Sequence, residues 1–362
     1  MSRQVFQSPS KYVQGRNEIE KLPEHASNLG KAGAFLIVGP RVITKYEERL
    51  TGCFKKSQLP MKLWEFKGEC SKVEIDRIVN SVQESKFDVI VGVGGGKVLD
   101  TAKAVAYFTS LPVIIVPTAA SSDAPCSALS VLYTEDHIFD RYLILKQNPD
   151  VVVMDLDLIA TAPVRLLVAG IGDALATYFE ARQCFISKKK SMAGGECSVT
   201  ALALAKACFD TLLADGHQAV LSATSGVVTP AFVNVVEANT LLSGLGFESG
   251  GLAAAHAVHN GMTAIKETHE FLHGEKVAFG TIVQLVLEHA PEQELKQVIE
   301  FCKLVGLPTT LTQLGVKEVT KELLMPAAQL ACAETESIHN MTRKVTPEDV
   351  VAAMIVANEL GK

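Results

Sequence analysis

Asp173, His256 and His273 stand far apart in the chain, yet each sits in a small-residue, apolar stretch. The contexts are Gly170-Ile171-Gly172-Asp173-Ala174-Leu175, Ala253-Ala254-Ala255-His256-Ala257-Val258 and Phe271-Leu272-His273-Gly274-Glu275. A carboxylate or imidazole among Ala, Leu and Val must be paired, hydrogen-bonded or bound to a cation, because its bare burial is costly. One carboxylate and two imidazoles that meet in space make an N/N/O set for a divalent metal, with a position left open to substrate. The histidines fall in close pairs, His256/His259 at i,i+3 and His269/His273 at i,i+4. Either spacing puts a pair on one face of a helix. His259 is therefore a reserve ligand, or a donor to substrate or to a neighbouring carboxylate. The plainer reading of any single histidine is a hydrogen-bonded core residue.

A glycine cluster, Gly92-Val93-Gly94-Gly95-Gly96-Lys97, follows an expected strand and opens an expected helix. Glycines there let a backbone approach a phosphate, and the helix N-terminus offers free N–H groups. The dinucleotide pattern GxGxxG fails because Lys97 stands in place of its last glycine; a P-loop fails at Val91 and Val98. A second loop, Pro117-Thr118-Ala119-Ala120-Ser121-Ser122-Asp123-Ala124-Pro125, follows the next strand. Its hydroxyls suit a cofactor and Asp123 suits a substrate hydroxyl, although a capped turn needs the same residues.

These residues need a scaffold. At 362 residues the chain exceeds one ordinary core, and two domains are expected. Hydrophobic content of 48%, charged content of 20% and a net charge of −6 describe a well-packed globule with no footprint for nucleic acid. Apolar runs such as Val151-Val152-Val153-Met154 stop at Asp155, far short of a membrane span. Residues Met1 to Val5 carry no apolar leader, so a cytoplasmic protein is expected. The eight cysteines form no CxxC pair, the look of reduced, buried thiols rather than zinc ligands.

Residues 34–38, 61–66, 88–93, 113–116 and 151–154 read as strands, with helices between them at 42–54 and after the N-cap Ser71. That alternation predicts a parallel α/β sheet. From Pro163 onward Ala/Leu-rich stretches take over. Helices are expected from Pro163, as first helical residue, to about Cys184, at 191–214, 229–245, 250–260, 274–289 and 292–304, and after Thr320 and Pro347. The expected fold is an α/β N-terminal dinucleotide-binding domain with a parallel sheet, residues 1–160, plus an all-α C-terminal metal-binding domain, residues 161–362.

Beyond GGGK (94–97) with Asp100 and the 117–125 loop, three strings are distinctive: Gly170-Ile171-Gly172-Asp173-Ala174-Leu175-Ala176, the run from Gly246 to Gly261 that contains His256 and His259, and His273-Gly274-Glu275-Lys276. With Ser337-Ile338-His339-Asn340, they resemble the group III, iron-containing polyol dehydrogenase family, its glycerol dehydrogenases above all, over essentially the whole chain. The resemblance implies the dehydroquinate synthase-like, group III alcohol dehydrogenase fold, with the active site in the cleft between the domains. It implies Asp173, His256 and His273 as ligands of zinc, with iron(II) as the other occupant. It places NAD contacts on Gly94, Gly95, Gly96, Lys97, Asp100, Thr118, Ser121, Ser127, Leu129, Val131 and Tyr133. Substrate contacts fall on Asp123 and Phe247 together with the three ligands. The implied activity is NAD-linked oxidation of glycerol, or a related vicinal diol, to dihydroxyacetone, with hydride passing from an alkoxide to nicotinamide C4. The implied assembly is a cytoplasmic homo-oligomer, commonly an octamer. One departure concerns the cofactor: where the family carries Asp after its second strand, this chain reads Gly39-Pro40-Arg41. The alternative is a sugar-phosphate reductase or cyclase of the same superfamily. Such an enzyme needs basic side chains about the metal, and these segments offer mainly Ala, Gly and Asn, with Lys276 the nearest base.

Overall fold

The computed structural model describes residues 3–362; Met1 and Ser2, with which the first expected domain begins, lie outside the described residues. The chain divides into two compact units that are not contiguous halves. The α/β unit holds Ser8–Ala120 and Ala124–Ala162, and the helical unit holds Pro163–Lys362, the N-terminal residues through Gln7, and Ser121–Asp123.

The α/β unit carries the strands β1 (Lys11–Gly15), β2 (Ala34–Val38), β3 (Met61–Glu65), β4 (Val89–Gly94), β5 (Val113–Pro117), β6 (Leu129–Tyr133), β7 (Phe139–Ile144) and β8 (Val151–Asp155). Its helices are α1 (Leu22–Leu29), α2 (Pro40–Lys56), α3 (Lys72–Glu84), α4 (Gly96–Thr109) and α5 (Leu156–Ile159). Six strands form one parallel sheet in the order β1-β8-β5-β4-β2-β3. β2, β4, β5 and β8 are buried along their whole length, which is why they read as unbroken apolar runs. From β2 the chain moves outward to β3; from β4 it moves the other way, to β5. The strand order therefore reverses between β2 and β4, the place where open α/β sheets bind ligands beyond the strands' carboxyl ends.

Several features of this unit escaped sequence reading, the short helices α1 and α5 among them. β1 is a short, polar edge strand, and β6 and β7 form a separate antiparallel pair with exposed Ile138, Tyr142 and Ile144.

The helical unit holds α6 (Val164–Ser187), α7 (Val199–Thr224), α8 (Pro230–Glu237), α9 (Ser243–Gly250), α10 (Ala254–Met262), α11 (His273–Leu287), α12 (Glu292–Val305), α13 (Lys321–Ala331) and α14 (Pro347–Gly361). Pro163 is the N-cap of α6, one place ahead of its expected role. Helix α7 starts at Val199 rather than 191, because Lys188 turns into the left-handed region and Ser198 supplies the cap. A π-turn over Ala238–Leu242 joins α8 to α9. His269 ends a separate short turn and donates from Nε2 to the Thr263 carbonyl, so it does not share a helix face with His273.

Candidate functional site

In the helical unit, Asp173 lies on α6, His256 on α10 and His273 at the first position of α11. Close packing brings the first and last together. A Cβ on Gly172 would overlap the carbonyl oxygen of Gly274, and one on Gly274 would overlap that of Ala169. Only glycine at these positions lets α6 and α11 approach so near. Glu275 accepts from the Leu272 N–H at 2.7 Å and is gripped by both guanidinium arms of Arg165, at 2.6 and 2.7 Å, which pins the start of α11. The start of α10, Ala254-Ala255-His256, has no capping side chain of its own. Glu180 of α6 accepts instead from the N–H groups of Ala253 and His256, and Gln284 of α11 from those of Ala254 and Ala255. Ser337 and Asn340 donate to the carbonyls of Ala253 and Leu252 and hold the preceding turn.

The result is a compact donor set. Asp173 Oδ1 lies 3.0 Å from His273 Nε2 and 3.3 Å from His256 Nε2, and one ligand atom from each residue falls within 4.8 Å of the others. Bonds of about 2.1 Å at tetrahedral angles place donors roughly 3.4 Å apart, close to these spacings. The hydrogen-bond chemistry points the same way. His256 Nδ1 lies 2.6 Å from Glu180 Oε2. A carboxylate accepts, so Nδ1 carries the proton, and in the neutral ring Nε2 turns a lone pair toward another carboxylate, Asp173. Two acceptors face each other unless a cation, proton or metal, lies between them. The residues therefore fit a divalent metal. Asp173 is buried, while His273 keeps 43% of its side-chain surface exposed, so the donor set reaches solvent on one side.

The charges follow this geometry. Burial alone would raise the Asp173 carboxyl, but His273 and His256 hold it far below the usual range. Burial alone would lower His256, but Glu180 and Asp173 hold it well above. Asp123 belongs to the same unit: its N–H donates to Asp173 Oδ2 at 3.3 Å, and Ser243 Oγ donates to its Oδ2 at 2.7 Å. Thr177 stands 2.8 Å behind Ser243. Burial and the charge of Asp173 push the Asp123 carboxyl well above its usual range. His259, the reserve ligand, is not part of the donor set; its Nε2 meets His273 Nδ1 instead, at 3.1 Å. Phe247 is buried on α9.

In the α/β unit the glycine cluster forms the β4–α4 turn. Gly94 ends β4 against Val98, whereas a Cβ on Gly95 or Gly96 would meet nothing within 4 Å. Gly96 and Lys97 supply the first N–H groups of α4, which have no partner within the helix, whereas the Val98 N–H bonds the Gly95 carbonyl. Thr118 donates its N–H to the Gly94 carbonyl at 3.0 Å, fixing the next loop beside the turn. Leu129, Val131 and Tyr133 share one half-buried face of β6. Three other residues expected to contact the cofactor also have partners within the unit. Lys97 pairs with the buried Glu69, which also takes His137 Nδ1 at 2.8 Å. Asp100 pairs with the buried Lys103 at 3.1 Å and accepts from the Val131 N–H, tying α4 to β6. Ser127 Oγ donates to the Ala124 carbonyl. Ser121 is half-buried and belongs to the helical unit.

Sequence reading missed Glu180, Ser243, Thr177 and Glu69. A signal existed for two of them: Asp173, Thr177 and Glu180 form a polar stripe at i, i+4 and i+7 within the apolar middle of α6.

A parallel sheet with a glycine turn beside its switch point, together with a carboxylate and two imidazoles set for a cation, defines a metal-dependent dinucleotide enzyme class. Residues 9–156 match the family described as iron-containing alcohol dehydrogenase. A glycerol dehydrogenase of Escherichia coli O6:H1 is 52% identical over 359 residues, covering 99% of this chain and 97% of that one. A glycerol dehydrogenase of Pseudomonas putida is also 52% identical, covering 99% and 98%. The crystal structure of glycerol dehydrogenase from Schizosaccharomyces pombe superposes with a TM-score of 0.94 at 43% identity, covering 100% of this chain and 92% of that one. The chain belongs to the iron-containing alcohol dehydrogenase family.

Proposed function

We propose that this chain is a metal-dependent, NAD-linked glycerol dehydrogenase that oxidises glycerol to dihydroxyacetone. The observation that carries the reading is the convergence of Asp173, His256 and His273 with imidazole Nε2 atoms turned toward one carboxylate oxygen. When bound, a divalent cation supplies Lewis acidity toward an alcohol oxygen, and NAD supplies the hydride acceptor. One carboxylate against two neutral imidazoles keeps the centre net positive. Zinc is the proposed ion, since an N/N/O set with an open position suits it; iron(II) takes the same donors. Glu180 holds the His256 ring in one tautomer. Asp123, its Oδ2 committed to Ser243, offers Oδ1 to a glycerol hydroxyl and orients the carbon that loses hydride. The free N–H groups of Gly96 and Lys97 receive the pyrophosphate. Leu129, Val131 and Tyr133 offer NAD an apolar face, and Phe247 a substrate contact. A homo-oligomer, an octamer by family resemblance, and a cytoplasmic setting belong to the same reading. No helix among the described residues is long and apolar enough to cross a membrane.

Purified chain mixed with NAD, zinc and glycerol should generate NADH absorbance. Asp173→Ala and His256→Ala should each abolish most of it and release the metal, read by elemental analysis. Full metal stoichiometry in either variant would overturn the ligand assignment. Reconstitution of stripped protein with zinc or iron(II) separates the two ions, and light scattering checks the oligomer.

A further inference from the structure

His259 stands three residues along α10 from His256, and its ring packs on His273, the centroids 4.2 Å apart. Where two imidazole nitrogens meet at 3.1 Å, one carries the proton and the other accepts it. Which one does so is settled further out. Glu336 sets both carboxylate oxygens against Asn260 Nδ2, at 3.0 and 3.3 Å. The amide nitrogen of Asn260 therefore faces Glu336, and its Oδ1 faces His259 Nδ1 at 3.1 Å. An amide oxygen only accepts, so His259 carries its proton on Nδ1 and its Nε2 is a bare acceptor. His273 Nδ1 must then be the donor. That leaves the lone pair of His273 on Nε2, the atom 3.0 Å from Asp173 Oδ1.

We infer that Glu336, Asn260 and His259 form a hydrogen-bond chain that fixes the tautomer and ring orientation of His273, presenting Nε2 as the ligand atom. The inference rests on the metal site proposed above and assigns these three residues a positioning role, not contact with the ion. His273 needs such a chain more than His256 does. His256 is only 12% exposed and held directly by Glu180, whereas His273 is the most exposed of the three ligands and has His259 as the partner of its other nitrogen.

The test uses the full-length, metal-stripped chain and zinc alone. Zinc affinity is measured by competition with a chromophoric chelator for the parent, His259→Phe, His259→Gln, Glu336→Ala and Asp173→Ala. Phenylalanine keeps the ring volume without an acceptor; glutamine places an amide oxygen near the position of Nε2. His259→Phe is expected to bind zinc about ten- to a hundred-fold more weakly, the usual cost of losing a partner behind a metal ligand. His259→Gln is expected to recover most of that loss. Glu336→Ala, at the far end of the chain, is expected to weaken binding in the same direction and decides the matter if His259→Phe does not fold. Parent-like affinity in His259→Phe, or a glutamine variant no better than phenylalanine, overturns the inference while parent binding leaves the metal site standing. Equal affinity in the parent and Asp173→Ala overturns both.

Discussion

Glu180 serves two ends with one carboxylate. Its Oε1 satisfies two N–H groups at the start of α10, and its Oε2 holds His256 Nδ1, so the helix end and the imidazole are oriented by the same side chain. Asp123 is placed with similar economy between Ser243 and the backbone contact to Asp173. Losing one charged acceptor should remove roughly 1.5–3 kcal/mol of transition-state stabilisation. Asp123→Asn is therefore expected to lower kcat/KM for glycerol about ten- to a hundred-fold, with metal content intact. Metal loss in that variant would make Asp123 a ligand, and parent kinetics would make it a loop cap only. At Pro40 the side chain matters by what it lacks. Gly39 and Pro40 follow β2, the strand beside β4 at the switch point, where an acid would reject the 2′-phosphate of NADP. The parent should prefer NAD by a modest margin, and Pro40→Asp should widen it. Comparing kcat/KM for the two cofactors decides this; an NADP preference in the parent contradicts the NAD reading.

At the scale of elements, the site depends on how near α6 and α11 come. Gly274→Ala would drive a methyl group into the Ala169 carbonyl and force the two helices apart. Such overpacking costs about 1–3 kcal/mol. It should also part Asp173 from His273, so metal stoichiometry should fall along with the melting temperature. Gly95→Ala is the opposite case. Its Cβ would enter open space, so folding and metal content should be unchanged while the Kd for NAD rises. If both variants behave alike in calorimetry, the packing argument fails. The π-turn at Ala238–Leu242 is the other local irregularity near the site, and Ser243 follows it directly. An extra residue per turn there re-aims the next side chain, and π-turns recur at functional positions for that reason.

For the whole molecule, a metal bound at this donor set is expected to act as a stabilising ligand. A cation present at about a hundred times its Kd adds roughly 2.7 kcal/mol to the folded state. Chelation should lower the melting temperature of the protein by several degrees, and zinc should restore it. The stripped chain should show a pH window of its own. His256 is raised in the folded state, so its contribution is complete below the ordinary histidine value of about 6.5 and is lost as pH rises through the folded value. Asp173 is lowered, so its contribution is present above the ordinary value of about 3.9 and is lost as pH falls toward the folded one. The stripped protein should therefore be most stable in mildly acidic to neutral solution and lose stability toward alkali. Zinc-loaded protein should not show that alkaline loss, because the ion replaces the proton between the acceptors. A melting temperature of stripped protein that keeps rising through pH 9 would contradict this.

The buried strands, most helices and the three residues that converge as a donor set were each legible along the chain. Apolar runs, cap residues and a carboxylate or imidazole stranded among alanines are local signals, and each depends on few neighbours. Ser71 caps its helix as the sequence indicates, and the helices expected after Thr320 and Pro347 are present, capped by Thr320 and Thr346. The edge strand β1 and the β6–β7 pair left no apolar run to read. The tertiary structure alone decided that residues 121–123 join the helical unit, that Asp100 and Lys97 are engaged by Lys103 and Glu69, and that His259 turns to His273 rather than to the donor set. The reason is physical. Which atom of a polar side chain is free depends on partners tens to hundreds of residues away, and only the packed helices bring those partners within hydrogen-bonding distance.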